Sequence, residues 1–469
     1  MLDNKSSVSV PTGTSVRDDC HINEQALEML AKDIEKKLAE GAHKSESKSS
    51  PACIYKVPEQ LRKQKESAYT PHFVSIGPLH SKNEQIKNSH VQGVKLSYAN
   101  SLFGRKILPK KEGKSEEDGK KSTPLEECVQ EMSKLLERAK KCYAEEVEDV
   151  LDVEMLVIDG CFILELLYKF KHTEFNIRND PIFDIHLMPI FLRNDLLLLE
   201  NQLPFFVLQK LFDLTVARID PAKRIYLTDY VDSFFDDMLN SEARRRRARK
   251  KRKNSEEYHH IVHILQNLGY FCSVDAGGEN QTGLSKFMPC ASDLEYAGVK
   301  FVVGSKVSFS DARGPSRLFG TVYFEIPSLC IYDTIEPVLR NLIAFEQCNC
   351  PGVTRFFTSY AFLMDTLINT PNDVQVLENA GVIRNYLGTS KDVTKLFRDL
   401  LDEVVLGESC FEKSVSAATD YSKRCWPDTM ARLRRKYFSN PWSFVVFCTG
   451  LSLLACQCFN SCVIISLNK

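Results

Sequence analysis

Five acids stand inside stretches otherwise built from Leu, Val, Ile and Phe: Glu154, Asp159 and Glu165 in VEMLVIDGCFILELLYKF, and Asp195 and Glu200 in IFLRNDLLLLENQLPFF. A carboxylate in such surroundings has two uses. With its pKa raised by low dielectric it can act as a general acid or base. Alternatively it accepts hydrogen bonds from backbone or arginine donors and fixes one core arrangement. Asn201 and Gln202 follow Glu200 directly, and two amides beside an acid predict a hydrogen-bonded network around the turn before Pro204. The structural use is therefore expected for Glu154, Asp159, Asp195, Glu200, Asn201 and Gln202, with no catalytic residue. An enzyme built on Glu154, Asp159, Asp195 and Glu200 is the alternative.

His259 and His263 share a helix face, which invites a metal, but zinc needs three or four ligands and no HExxH pattern accompanies them. No metal and no cofactor are expected. The chain has no GxSxG elbow, no GxxxxGK[ST] loop and no GxGxxG after a strand, the arrangements that would position a nucleophile or cradle a phosphate. The densest charge is Arg244, Arg245, Arg246, Arg247, Arg249, Lys250, Lys251, Arg252 and Lys253, nine basic residues in ten positions. Three readings stay open for it: a solvated insertion, contact with anionic lipid at about 1 kcal/mol per basic residue, or a nucleic-acid patch. The formal net charge of the whole chain is −1, which supplies no global field for nucleic acid, and such a partner is not expected.

These residues must be carried by 469 residues that are 43% hydrophobic and 26% charged, ordinary for a globular protein with a real core. Residues 1–21 are polar and predicted disordered, without the apolar h-region of a signal peptide. Leu2 stands where N-myristoylation requires glycine. The sixteen cysteines are irregularly spaced and, with no export signal, are expected to be mostly reduced. Residues 22–436 read as one α-rich body, mainly α in an α+β class. Helical spacing covers 22–40, and a proline-rich extended segment follows from Cys53 to His80. Thr123-Pro124-Leu125-Glu126 is a helix start with a capping box. The stretch after Val153, apolar nearly all round, predicts a central core helix. Further helices are predicted over 226–239, 256–268, 337–345, 360–368, 373–380 and 392–405. Between them, VKFVV, KVSFS, GTVYFEI and LCIYD alternate, predicting a small antiparallel sheet over 299–333.

The C-terminus is the clearest feature. Pro441 to Leu467 carries no charge and exceeds the ~20 apolar residues a membrane helix needs. Arg432, Arg434, Arg435 and Lys436 precede it and only Lys469 follows, so a single-pass transmembrane helix over 441–467 is expected, with the body cytosolic by the positive-inside rule. A buried core helix is the alternative.

Several segments together resemble the plant family known as domain of unknown function 247. They include Ile54-Tyr55-Lys56-Val57-Pro58, Ser75-Ile76-Gly77-Pro78-Leu79-His80, Asp159-Gly160-Cys161-Phe162, the run from Asp195 to Phe206, Arg340 to Gln347, and Asn440-Pro441-Trp442. The similarity covers roughly residues 22–467, and Leu198-Leu199-Glu200-Asn201-Gln202-Leu203-Pro204-Phe205-Phe206 is its most specific block. The resemblance implies a single α-rich body with a C-terminal membrane segment, and no activity, cofactor or catalytic residue to carry over. Some grass members are associated with pollen-side self-incompatibility, which implies recognition or signalling. The basic run and Ser285 to Ala291 depart from the family pattern. The expectation is a non-enzymatic, membrane-anchored plant protein meeting an unknown protein partner through loops at 81–122 and 240–256, with the bilayer as its second partner.

Overall fold

The computed structural model describes residues 28–38, 52–84, 90–109, 122–172, 180–223, 225–235, 258–267, 288–311, 321–348, 353–424 and 441–467, with isolated positions between 427 and 435. The basic run 244–253, residues 1–21 and the loop 240–256 lie outside them. Residues 1–51 form one unit and 52–469 a second. In the first, residues 28–38 form helix α1, with Glu28 and Lys32 paired one turn apart.

The second unit opens with an extended strap, residues 52–80, interrupted only by the short helix α2 (Glu59–Gln64) and one 3-10 turn. Pro58, Pro71 and Pro78 deny it a longer helix. It lies against a helical layer. There α3 (His90–Phe103), α4 (Pro124–Lys140), α7 (Phe205–Leu214) and α8 (Leu227–Phe235) all pack on α5 (Val153–Lys171). The central position of α5 follows from its residues: Leu156, Val157 and every residue from Asp159 to Leu167 are buried. Gly160 lets α7 approach, because a Cβ there would run into the Leu211 side chain. Asp152 caps α5 through the amide of Met155 at 2.7 Å. Helix α4 starts at the anticipated capping box, Thr123 Oγ1 accepting from Glu126 N–H while Glu126 accepts from Thr123 N–H. Between α5 and α7, α6 (Met188–Leu196) ends in the turn 197–204 that carries Glu200, Asn201 and Gln202.

The C-terminal half adds α9 (Ile261–Asn267), α10 (Ala291–Tyr296), α11 (Ile335–Gln347), α12 (Phe356–Leu367), α13 (Pro371–Asn379), α14 (Ser390–Leu400) and α15 (Glu412–Ser422). Its strands correct the expected antiparallel sheet. β1 (Val299–Val303) pairs parallel with β3 (Val322–Ile326), and only β2 (Ser308–Asp311) runs antiparallel to β3. β4 (Leu329–Ile331) leaves that sheet and pairs parallel with β5 (Ile383–Asn385). Alternation along a strand reports which side is buried and is blind to the partner's direction, so the result is a small mixed β region.

A second correction concerns 81–122, expected as an exposed loop. Within it α3 packs on α5 and buries Lys95, Tyr98 and Leu102. At the C-terminus the outcome is partial. Helix α16 (Pro441–Leu467) forms over the expected residues. Among the described residues, however, no helix is long and apolar enough to cross a membrane. The core-helix alternative does not hold, because Val446, Leu453, Leu454 and Phe459 are all exposed.

Candidate functional site: carboxylates that hold the strap

The turn 197–204 and the end of α6 place three polar side chains against the strap, and each takes hold of its backbone. Asp195 accepts from the amides of His72 (2.9 Å), Phe73 (2.7 Å) and Val74 (2.9 Å). Asn201 accepts from Ile76 N–H at 2.6 Å and donates to the carbonyls of Val74 (3.0 Å) and Asp195 (2.9 Å). Glu200 accepts from Val57 N–H at 2.6 Å and from the Arg62 guanidinium at 2.5 Å, while His80 Nε2 lies 3.0 Å from its other oxygen. An extended segment outside any sheet has no ladder to satisfy its amides, and unpaired buried N–H groups are costly. The acids supply the missing acceptors.

Gln202 works inward. Its amide donates to the carbonyls of Leu196 (2.8 Å), Leu198 (2.9 Å) and Asn201 (3.1 Å), closing the turn on itself. The Leu199 amide is taken by Asn341 of α11 at 2.9 Å, and Asn341 also donates to Ala68 of the strap at 2.7 Å. Asp159 on α5 completes the arrangement. It accepts from Gly77 N–H at 2.8 Å and from buried Lys95 at 2.5 Å, and Lys95 also donates to the Ser75 carbonyl. Gly77 sits at φ +69°, where a Cβ would lie 2.9 Å from the Gln202 carbonyl oxygen. That position needs glycine on both counts.

Burial pushes the carboxyls of Asp159 and Asp195 above the ordinary range, outweighing Lys95 and Gly77 in one case and the three strap amides in the other. Glu200 goes the other way: burial opposes it, but His80, the Val57 amide and Arg62 together hold it below that range. Perturbed acids in one region can mark acid–base chemistry. Here both oxygens of Asp159, Asp195 and Glu200 already face donors of the chain itself.

The remaining sequence candidates separate. Glu165 is buried and held by Arg105 through two bonds of 2.9 and 2.6 Å. Glu154 is corrected: it lies exposed in the first turn of α5, since its apolar neighbours occupy the other faces. His259 and His263 stack with ring centroids 4.5 Å apart. His260 Nε2 donates to the Cys53 carbonyl at 3.1 Å while its Nδ1 accepts from His263 N–H at 3.3 Å. That pattern requires the neutral ring, and burial with the neighbouring histidines pushes its pKa well below the usual value. Among the described residues no group of three or more His, Cys, Asp or Glu side chains could hold a metal ion.

Two further carboxylates repeat the device in the C-terminal half without having been singled out from sequence. Glu346 accepts from the amides of Phe357 (2.8 Å) and Thr358 (2.7 Å) and from the Thr358 hydroxyl. Asp373 ties Ser292 and Thr370 together, at 2.6 and 2.8 Å from their hydroxyls. For Asp373, the Thr370 three residues before it at a helix start is the signal that could have found it; Glu346 carries no such local mark.

Comparison with known proteins matches this scaffold to a family model described as plant protein of unknown function, DUF247, over residues 54–456. The chain belongs to that family. UPF0481 protein At3g47200 of Arabidopsis thaliana is 27% identical over 437 residues, covering 88% of this chain and 86% of the relative. A second UPF0481 protein of Arabidopsis thaliana, At3g02645, is 22% identical over 493 residues, covering 86% and 88%. No solved structure matches. The DUF247 match begins at Ile54, where the strap pairs with the body, so the matched region contains nearly all of the strap and every acid that holds it.

Proposed function

We propose that this DUF247 chain is a non-enzymatic recognition or signalling protein whose body is tethered to a membrane by α16 and meets a protein partner. The observation that carries the reading is the surface of α16. Trp442, Val446, Leu453, Leu454 and Phe459 are exposed on different sides of one charge-free helix. A helix apolar all round needs an apolar environment, and the body does not provide it. The hydroxyls of Thr449 and Ser452 donate to the carbonyls of Val446 (2.9 Å) and Thr449 (2.8 Å). Hydroxyls satisfied within their own helix enter lipid without orphaned donors.

Arg434 donates to the carbonyls of Glu295 and Tyr296 at 3.3 Å, and Arg435 pairs with Asp293. These contacts would hold the base of the tether at α10 and keep basic residues on the body's side, which favours a cytosolic body. The non-enzymatic part is supported by the acids, whose oxygens are engaged by the strap and by Lys95. The test is alkaline carbonate extraction of membranes from cells expressing the full chain with a tag at each end, followed by protease digestion of sealed vesicles. The pellet should retain the protein with its N-terminal tag digestible, and deletion of 441–467 should release it. Release of the intact chain would overturn the tether, and a protected N-terminal tag would overturn the cytosolic assignment.

A further inference from the structure

The strap begins beside a second cysteine. Ile54 and Tyr143 form an isolated parallel bridge. The amides of Cys53 and Ile54 both donate to the Cys142 carbonyl at 2.9 Å, and Ala144 N–H returns to Ile54 O at 2.9 Å. The Cys53 and Cys142 thiols also share a side-chain hydrogen bond, which places the two sulfurs side by side. Paired backbones lie about 4.8 Å apart, within the roughly 4.4–6.8 Å Cα separation that a disulfide accepts. Both carry reduced thiols, Cys53 buried and Cys142 half-buried.

We propose that Cys53 and Cys142 are a reversible thiol pair that closes to a disulfide when it meets hydrogen peroxide and so fastens the start of the strap to the segment between α4 and α5. The Cys142 sulfur differs from the buried thiols Cys128 and Cys161 in a way that favours this. A hydrogen bond from Cys53, with the charge of Arg138 nearby, holds the Cys142 thiol below the ordinary range against the effect of burial. Burial pushes Cys128 up to about 12 and Cys161 well above the usual value. Thiolate is the reactive form, so peroxide should select Cys142.

The Cys142 thiolate attacks one peroxide oxygen, the O–O bond breaks, and the departing hydroxide takes a proton to become water. The Cys53 sulfur then attacks the Cys142 sulfenic acid, loses its own proton and expels the hydroxyl as a second water. Two thiols give up two electrons, and one peroxide becomes two waters. A dithiol reductant reverses the step by exchange. The linkage would tie down the end of the strap that His260 also holds through the Cys53 carbonyl.

The test exposes the full chain in membranes to limiting hydrogen peroxide, alkylates it with iodoacetamide under denaturing conditions, and maps non-reduced peptides by mass spectrometry. A Cys53–Cys142 peptide that disappears with dithiothreitol, with Cys128 and Cys161 alkylated as in untreated protein, is the expected result. The Cys53→Ser variant should then leave Cys142 as a dimedone-reactive sulfenic acid, roughly tenfold above wild type, because the resolving thiol is gone. Should that variant fail to fold, the wild-type linkage still decides. Unchanged alkylation of Cys142 would overturn the proposal. So would Cys142 sulfinic acid with Cys53 still reduced, or a linkage of either residue to a different cysteine.

Discussion

Replacing Asp195 with alanine removes the acceptor for three consecutive strap amides at once. His72 is exposed and its amide can turn to water, whereas Phe73 is half-buried and Val74 is buried. Two amides are then left without a partner, at about 1–3 kcal/mol each. Removing a carboxylate that burial disfavours in its charged form offsets part of this, so the expected loss is about 3 kcal/mol. Asp195→Asn keeps one acceptor oxygen but turns an NH2 toward an amide donor, and should fall between alanine and wild type. The control is Glu154→Ala, an exposed acid on α5, expected within about 0.5 kcal/mol of wild type. Urea unfolding of the full chain by circular dichroism measures all three. Hydrogen exchange should show the Val74 amide losing protection along with the global change. If Asp195→Ala costs under about 1 kcal/mol, the strap does not depend on this acceptor and the clamp argument is wrong.

Glu346 is pushed from its ordinary value of 4.5 up to about 7 by burial, which outweighs its bonds from Thr358 and Phe357. A carboxyl raised in the folded state stabilises fully below the unfolded pKa and loses that contribution as pH rises through the folded one. The stability of wild type relative to Glu346→Gln should therefore fall by about 3 kcal/mol between pH 4.5 and 8, read from paired melting curves; a pH-independent difference would refute it. Lys95→Met leaves the Asp159 carboxylate buried without its cation and should cost about 3–5 kcal/mol, checked by the same urea titration. Gly77→Ala must place a side chain at positive φ against the Gln202 carbonyl and should lose at least about 1 kcal/mol. Gly93→Ala, exposed in α3 with nothing within 4 Å, should gain up to about 1 kcal/mol; calorimetry separates the two signs.

Helices with caps and a clear 3.6 period were legible in sequence. Thr123 to Glu126 opened α4 where its capping box lies, and the apolar density after Val153 marked the most buried helix. Helix α3 was missed because VQGVKLSYANS mixes polar and apolar residues without a clean stripe, and its central lysine reads as solvated until Asp159 stands beside it. β5, three residues long, exists as a strand only because β4 lies next to it. At the site, the acids and amides of Asp195 to Gln202 could be read, but their partners could not. Those partners are mainly backbone N–H groups of residues 57, 72–74, 76 and 77, and a backbone donor has no letter. The misreading of Glu154 has the same root: a helix first turn can carry an outward acid amid apolar residues that face elsewhere.

The strap also sets an order of events. Its residues leave the ribosome before every group that holds them: Asp159, Asp195, Glu200, Asn201 and finally Asn341, 273 positions after Ala68. Closing such distant contacts is slow compared with forming helices. The first segment of the body to be made is therefore the last to be secured, and until the turn 197–204 emerges its amides are exposed to whatever else can pair with an extended chain. A nascent chain stalled before Asp195 would carry that segment open to chaperones, and one stalled after Gln347 would not.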